Sequence, residues 1–547
     1  MTQKEALDIL KTGRNVFLTG AAGSGKTYVL REYIEYLKGL DANIGITAST
    51  GIAATHMGGI TIHSWSGIGI KDHLSKSEIK EIAEKKHVVK KIAKTSVLII
   101  DEISMLHHFR LDFIDKIIRT IKNSQEPFGG MQVIFCGDFF QLSPVSKFGE
   151  PESLFVYHSE TWKNLGLKIC YLSEQHRQND SEFLEVLNTI RENRVSEKTK
   201  SILQTRFSPK SDFGLEPTKL YSHNKNVDSE NELELSKLSG KMSEYKMQTR
   251  GNRNLVETLK KSCLAPETLE LKEGAKVMFI KNNFDIGYVN GTLGIVTKCG
   301  YEEIKVKTLS GKIINLERES WRIEEEGKAK AEITQYPLRL AWAITVHKSQ
   351  GMSLDIAEVD LSKSFERGMG YVALSRVRSL EGLFLKGLNE MALRINEEVL
   401  EFDNKFKDLS KTNSFHIKTM GEEKLNKMHQ DFAQKIKGEK PKEKKLDTIS
   451  ETKKMLDEGI SAKNIAKERG LKLGTILDHI EKIKEADPKY NIYNLQNSIS
   501  KTKFKEIYNA FHKIGVSEGE KYKLAPVKEL LGPKYSYDDL RLVRLFL

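Results

Sequence analysis

Short apolar runs recur through the first two hundred residues: "VFLT" (16–19), "NIGITA" (43–48), "SVLIID" (96–101) and "MQVIFCGD" (131–138). Each is bounded by polar or Gly-rich segments and separated from the next by helical spacing. Runs without alternation, in this order, predict a parallel sheet covered on both faces. A polar, Lys-rich helical insertion interrupts the pattern at 66–96. From Leu220 the α/β pattern resumes, but 273–325 switches to period-two alternation in "KVMFIKNN", "LGIVTKC" and "EIKVKTLSGKIINLE", with hairpin signals at Asn290-Gly291 and Ser310-Gly311. We expect a small β-barrel there, inserted into a second α/β domain. "LRLAWAIT" (338–345) is expected to be an amphipathic helix of that domain, which ends near Phe406.

The expected division is 1–65 with 97–215, then 216–272 with 326–406, for the two α/β domains. Insertions at 66–96 and 273–325 interrupt them, and a basic linker follows at 407–445. Thr448–Asp457, Ser461–Arg469 and Thr475–Lys484 read as three short helices within 446–484, with Ser461 placed as a cap and Gly459 and Gly470 as breaks. Residues 485–547 read as a separate helical unit with Leu540, Val543 and Leu545 on its apolar side.

At 547 residues and 39% apolar content, the chain supports three or four domains of ordinary size. No apolar run reaches the ~18 residues of a membrane span, and "MTQKEALDIL" does not resemble a signal peptide. A cytoplasmic protein is expected. The four cysteines lie far apart without a CxxC pair, which argues against both a disulfide framework and a zinc site. A net charge of +12 and a pI near 9.1 favour a polyanionic partner. Part of that excess is local: "KIKGEKPKEKK" (435–445) reads as solvated linker, with a nucleic-acid-binding arm as the alternative.

The chemistry starts at "GAAGSGKT", Gly20 to Thr27, between a strand and a helix. In GxxxxGK[ST], Gly20, Gly23, Ser24 and Gly25 let backbone N–H groups approach phosphate, Lys26 neutralises charge and the Thr27 hydroxyl meets Mg²⁺. Asp101, at the end of "SVLIID", is placed to hold that metal, and Glu102 to polarise the attacking water. A GTP switch is disfavoured, since "NKNVD" (224–228) sets its aspartate one place too late for NKxD.

Polar elements at strand ends decide between the remaining nucleotide hydrolases: "TASTGIAA" (47–54), "GDFFQLSPV" (137–145), "EQHRQ" (174–178), "HKSQG" (347–351) and "YVALSRVRSLEGL" (371–383). In this order they resemble the motifs of superfamily 1 DNA helicases, specifically the petite-integration-frequency (PIF) family, with RecD-like enzymes as relatives. The resemblance runs from Gln3 to about Leu385. It implies an α/β protein of two RecA-like domains with a helical wedge insertion, a small β-barrel insertion and an α-helical C-terminal region. It also implies ATP and Mg²⁺ in the cleft, single-stranded and forked DNA as partners, and 5′ to 3′ movement in genome maintenance by a monomer.

Carried over by position, Gln3 would read adenine, Gln141 would sense the γ-phosphate, and Arg177 and Arg376 would stabilise transition-state charge. Gln350 and Gly351 would approach the nucleotide. Thr50, Gly51, His63, Pro144, Asn224, His347, Lys348 and Ser349 would meet DNA. Ser143 replaces the first proline of the family's usual QLPPV, which loosens that loop. Trp65 admits base stacking or core packing, the latter favoured. "DEGISAKNIAKERGLKLGTILDHIEKI" has helix-turn-helix spacing that would place Lys472 and Thr475 near phosphate, with protein docking or plain packing as alternatives.

Overall fold

The computed structural model describes residues 1–69, 71, 73–144, 154–174, 180–207, 214–221, 227–301, 303–325, 328–364, 366–437, 448–487, 490–492, 495, 498–515 and 522–547. They fall into two units, Met1–Gly438 and Glu439–Leu547.

The first unit begins with β1 (Val16–Gly20), β2 (Ile44–Ala48), β3 (Ile60–Thr61), β4 (Val97–Asp101), β5 (Gln132–Cys136) and β6 (Lys168–Leu172). They form one parallel sheet in the order β3-β2-β4-β5-β1-β6. The inner strands β1, β4 and β5 are buried along their whole length, which is why their sequences show no alternation. Phe17 of β1 packs between Trp162 and Phe406, with ring centroids 5.0 and 5.2 Å away. The insertion after Ser66 forms helices Lys76–Glu84 and Lys86–Lys94, the first closed by a Ser75–Glu78 capping box. Ile82, Val88 and Ile92 root both helices in the core of the first lobe.

The second lobe opens with β7 (Thr218–Tyr221), β8 (Ser243–Lys246), β9 (Gln248–Gly251) and β10 (Thr268–Leu271). Strands β11 (Lys276–Phe279), β12 (Leu293–Cys299), β13 (Ile304–Thr308), β14 (Ile313–Asn315), β15 (Glu319–Glu325) and β16 (Lys328–Gln335) follow. It closes with β17 (Leu338–Leu340), β18 (Ala343–Thr345), β19 (Ala357–Leu361) and β20 (Leu383–Leu388). A parallel sheet, β18-β7-β19-β20, is the second α/β layer.

The inserted β region differs from the expected barrel at both ends. Its five-stranded sheet, β14-β13-β12-β11-β17, recruits β17 from beyond 325, while β15 and β16 join β9 in a separate three-stranded sheet. The tight turn at Ser310-Gly311 links β13 to β14, with Gly311 at φ 83°. Asn290-Gly291 instead ends the longer 280–292 connection between β11 and β12. Residues 338–345 are not a helix: β17 pairs antiparallel with β11 and β18 pairs parallel with β7. The alternation Leu338, Leu340, Trp342, Ile344 has period two, and Ala341 and Ala343 lie between the buried Arg339 and Thr345 on the alternate positions, so the contrast between the two faces is weak.

The expected linker at 407–445 is largely folded. Helices Glu397–Thr419 and Glu422–Ile436 turn back onto the first lobe. Asp403, Phe406, Ser410, Asn413 and Ile417 share one stripe of the first helix. Ser410 Oγ accepts the Tyr171 N–H at 2.9 Å and Asn413 Nδ2 donates to Ile169 O at 3.1 Å. The helix thereby covers the open edge of β6 with polar side chains. Phe432 lies against Gly13, where φ is 77° and any Cβ would come within 2.2 Å of the ring. Residues 438–445 of the expected linker lie outside the described residues.

The second unit holds helices Thr448–Asp457, Ala462–Glu468 and Leu473–Ala486, the middle one capped by Ser461. Its division from 485–547 does not hold: Ile465, Ile476 and Ile480 share one core with Phe511, Leu540 and Val543. Among the described residues, no helix is long and apolar enough to cross a membrane.

Candidate nucleotide and DNA site

The P-loop follows from β1 ending at Gly20 and helix Lys26–Gly39 beginning six residues later. Gly25 enters the helix at φ 86°, and a Cβ on Gly20 would sit 2.7 Å from Leu172 O, so side chains are excluded at both positions. Lys26 Nζ donates to the carbonyls of Gly20 and Ala21 at 2.8 and 3.0 Å. Burial lowers its pKa, opposed by the nearby Asp138 and Glu102 carboxylates. Ser24 Oγ is buried and meets no partner among the described residues. Gln3 begins the helix Gln3–Lys11 and its Nε2 donates to Ser24 O at 3.5 Å. Thr27 is exposed at the loop's mouth.

Asp101 ends β4 and its Oδ1 accepts the Glu102 N–H at 2.8 Å. Glu102 sits at φ 51°, ψ 44°, a left-handed conformation that costs about 1 to 3 kcal/mol for a residue with a side chain. Its carbonyl is held by Ser49 Oγ at 2.5 Å. Burial, then the charge of Asp101, raises the Glu102 pKa to about 7, while Lys26 and Arg376 pull it down. Burial also raises Asp101.

The two lobes meet over this pocket. Arg376, 1% exposed after helix Met369–Leu374, donates from Nη2 to Gln141 Oε1 at 2.8 Å. Gln141 Nε2 donates to Asp138 Oδ2 at 3.2 Å. Both carboxylate oxygens of Asp138 also accept from Arg191 Nη1, at 2.9 and 2.8 Å. Arg191 also donates to the hydroxyls of Tyr371 and Tyr171, each at 3.1 Å, and pairs with Asp403 at 3.4 Å. The Tyr371 hydroxyl accepts the Ala22 N–H of the P-loop at 3.4 Å. Although burial opposes it, the Arg191 guanidinium with Lys26 holds the Asp138 carboxyl below its ordinary range.

Arg191, Tyr371 and Asp403 were absent from the sequence-derived set. Arg191 carried a legible signal: with Phe183 and Leu187 it continues an i, i+4 series on the buried face of helix Ser181–Arg191, where a cation needs a buried counter-ion.

The expected DNA residues form a looser set. Thr50 caps helix Gly51–His56 by accepting the Ala53 N–H at 3.3 Å. Gly51 faces Ser262 of helix Arg253–Ser262, whose Oγ would lie 2.7 Å from a Cβ. His63 is half-buried on helix Ile62–Ser66, and Trp65 on the same helix is in the core, as favoured. Pro144 is buried and, with Phe155, Ile395 and Val399, lines a small cavity. His347 is exposed, and Lys348 Nζ lies 3.4 Å from Asp228 Oδ2. Ser349 is buried with its hydroxyl donated to Val346 O at 2.8 Å, so it faces the protein rather than solvent. Gln350 is buried, its Nε2 without a partner among the described residues, and Gly351 is exposed. Arg177 and Asn224 lie outside the described residues.

Comparisons with known proteins agree with this geometry. The PIF1-like helicase family model matches residues 2–201, the DNA helicase Pif1 2B domain matches 254–299, and a helix-turn-helix domain matches 448–544. The ATP-dependent DNA helicase Pif1 of Psychrobacter sp. (strain PRwf-1) is 39% identical over 100% of both chains. The crystal structure of Bacteroides sp Pif1 in complex with ADP-AlF4 is 33% identical, with a TM-score of 0.66, over 74% of this chain and 96% of that one. Bacteroides Pif1 in complex with ADP-AlF3 and ssDNA is 34% identical, with a TM-score of 0.51, over 74% and 96%.

Proposed function

Because the chain belongs to the PIF1-like helicase family and is an ATP-dependent DNA helicase, we propose that it moves 5′ to 3′ along single-stranded DNA. We further propose that it unwinds forked duplexes as a cytoplasmic monomer in genome maintenance. The observation that carries this reading is the Arg376–Gln141 contact, which joins the second lobe to a first-lobe side chain beside the P-loop. A cation supplied across a cleft makes closure of the lobes a condition for hydrolysis.

The residues fit a magnesium nucleotide. Ser24 Oγ and Gln350 Nε2 are buried polar atoms lacking partners among the described residues, and Lys26 already donates to two loop carbonyls where anionic oxygens would be better acceptors. Thr27 and Asp101 would hold Mg²⁺, which supplies charge neutralisation at the phosphates when bound. Glu102, poised near neutrality, polarises water as a general base. Gln3 orients the base, Gln141 sets the cleft's polar wall, and Arg376 with Arg177 stabilises developing charge. Thr50, Gly51 and His63 of the first domain and Asn224, His347 and Lys348 of the second grip the DNA backbone without reading sequence. Pro144 and Ser349 reach DNA only after local rearrangement, since both are buried.

The division of labour follows the sheets: β1–β6 hold nucleotide, and β7 with β18–β20 supplies the moving lobe. The test is unwinding of duplexes carrying a 5′ or a 3′ single-stranded tail, with and without ATP. Displacement of the 5′-tailed duplex alone, dependent on ATP, is expected; displacement of only the 3′-tailed one overturns the polarity.

A further inference from the structure

We propose that the cleft between the edge of the first sheet and the β15–β16 hairpin is a second nucleic-acid site, which takes the phosphodiester backbone of a single strand. The identity of the polyanion rests on the helicase reading above; the site itself rests on the cleft. It encloses about 990 Å³ between helix Lys86–Lys94 and the starts of β2 and β3 on one wall, and the β15–β16 hairpin on the other. Lys90, Lys91 and Lys94 line the first wall, and Lys281, Arg318 and Arg322 the second. Glu319 is the one carboxylate among the described lining residues and is engaged by Lys281 at 2.8 Å, while Arg322 is paired through Nε with Glu332 at 2.7 Å.

The helix on the first wall is built against its own electrostatics. "KHVVKKIAK" carries four lysines and no acid. Lys90 and Lys94 repel at i, i+4, and Lys86 stands at the positive end of the helix dipole. Val88 and Ile92, both fully buried, hold it in place regardless. A polyanion in the cleft reverses these repulsions.

Several of the cations are already oriented. Arg318 Nη1 donates to Lys246 O at 3.0 Å with its guanidinium 4.8 Å from the Tyr336 ring, and Lys91 and Lys281 sit over Trp65 and Trp321 at 5.8 and 5.3 Å. Both tryptophans are at most 5% exposed, leaving charge as the recognition element. Sequence-independent backbone binding follows.

The cleft is separate from the motor's strand site. Ile44, at the N-terminal end of β2, lines it together with Thr55 and His56 at the C-terminal end of helix Gly51–His56, whereas Thr50 caps the opposite end of that helix, roughly 8 Å away at ~1.5 Å per residue. Two sources supply the same chemistry: the complementary strand of a fork, or a distal stretch of the tracking strand.

The test uses the full chain carrying Lys90→Glu and Arg322→Glu, both exposed, with unaltered thermal unfolding as the control on folding. On a short single strand, affinity and ATP turnover are expected to stay within about twofold of wild type. On a fork, affinity at low salt is expected to fall at least about tenfold, with the salt slope reduced by about two. Unchanged fork affinity and slope overturn the proposal, and so does an equal loss on both substrates, which would merge the cleft with the motor path. A photo-crosslinker at position 322, with each fork strand labelled in turn, identifies the source; no adduct to either strand also overturns it. A wild-type chain that unwinds no fork counts against the helicase reading, whereas a wild type that unwinds and a variant that matches it count against the cleft.

Discussion

Two regions of this molecule are rich in cations and use them in opposite ways. Around the nucleotide pocket, Arg191 and Arg376 are buried and each guanidinium has fixed partners, Asp138 and Gln141 among them. In the cleft by helix Lys86–Lys94, Lys90, Lys94 and Arg322 are exposed. A buried guanidinium defines a geometry, because removing it strands its partners in a low dielectric. An exposed lysine contributes mainly charge, which salt screens. Substitutions should therefore fail sharply and individually in the pocket, and gradually and additively in the cleft.

The largest effect is expected from Arg376→Ala. Loss of a transition-state cation should slow ATP turnover by about 10²- to 10³-fold with nucleotide affinity nearly kept; equal losses in both would break the contrast by making Arg376 a binding residue. Next, Arg191→Ala leaves Asp138 buried and unpaired, at a cost of about 3 to 5 kcal/mol, read as a lowered Tm of the first unit. The Arg191→Met, Asp138→Asn double variant should recover much of that Tm. If it also recovers full turnover, the hub is packing alone; if turnover stays low, it positions Gln141.

The pH profile sharpens the pocket side. Glu102 has its pKa raised to about 7, so kcat/KM for ATP should rise through that region and the limb should vanish in Glu102→Gln. Because its folded-state value is raised from the ordinary 4.5, the stability it contributes is full below about 4.5 and is lost as pH rises through about 7, so Glu102→Gln should raise Tm more at pH 8 than at pH 5. The smallest effect is expected from His347→Ala with Lys348→Ala, a several-fold weakening of single-strand binding that is uniform across sequences. A sequence-selective loss would contradict backbone contact.

The pocket was legible where chemistry is contiguous in the chain. Gly20 to Thr27, Asp101-Glu102, Gln141 and Arg376 could be named because each lies in a short motif that is contiguous in the chain. Tyr371 and Asp403 could not, since each looks ordinary in its own helix, and Arg191 showed only as a cation on a buried helical face, its counter-ion Asp138 being a tertiary neighbour. The fold was misread where period and polarity mislead. At 338–345 small alanines between the buried Arg339 and Thr345 weaken the contrast between the two faces, and with it that between strand and helix. The return helix Glu397–Thr419 looked like linker because Ser410 and Asn413, which satisfy the edge of β6, are polar residues in a packing role. Beyond Phe406 a hydrophobic pattern alone does not reveal a helix whose next contacts are hydrogen bonds.

That helix also fixes a length. Asp403, which meets Arg191, and Ser410, which meets β6, are seven residues apart, close to two full turns at about 3.6 residues per turn. Inserting or deleting a single residue between them would swing one partner roughly 100° around the axis. The rod therefore works as a gauge block: its phase, more than its composition, is what evolution is free to change least.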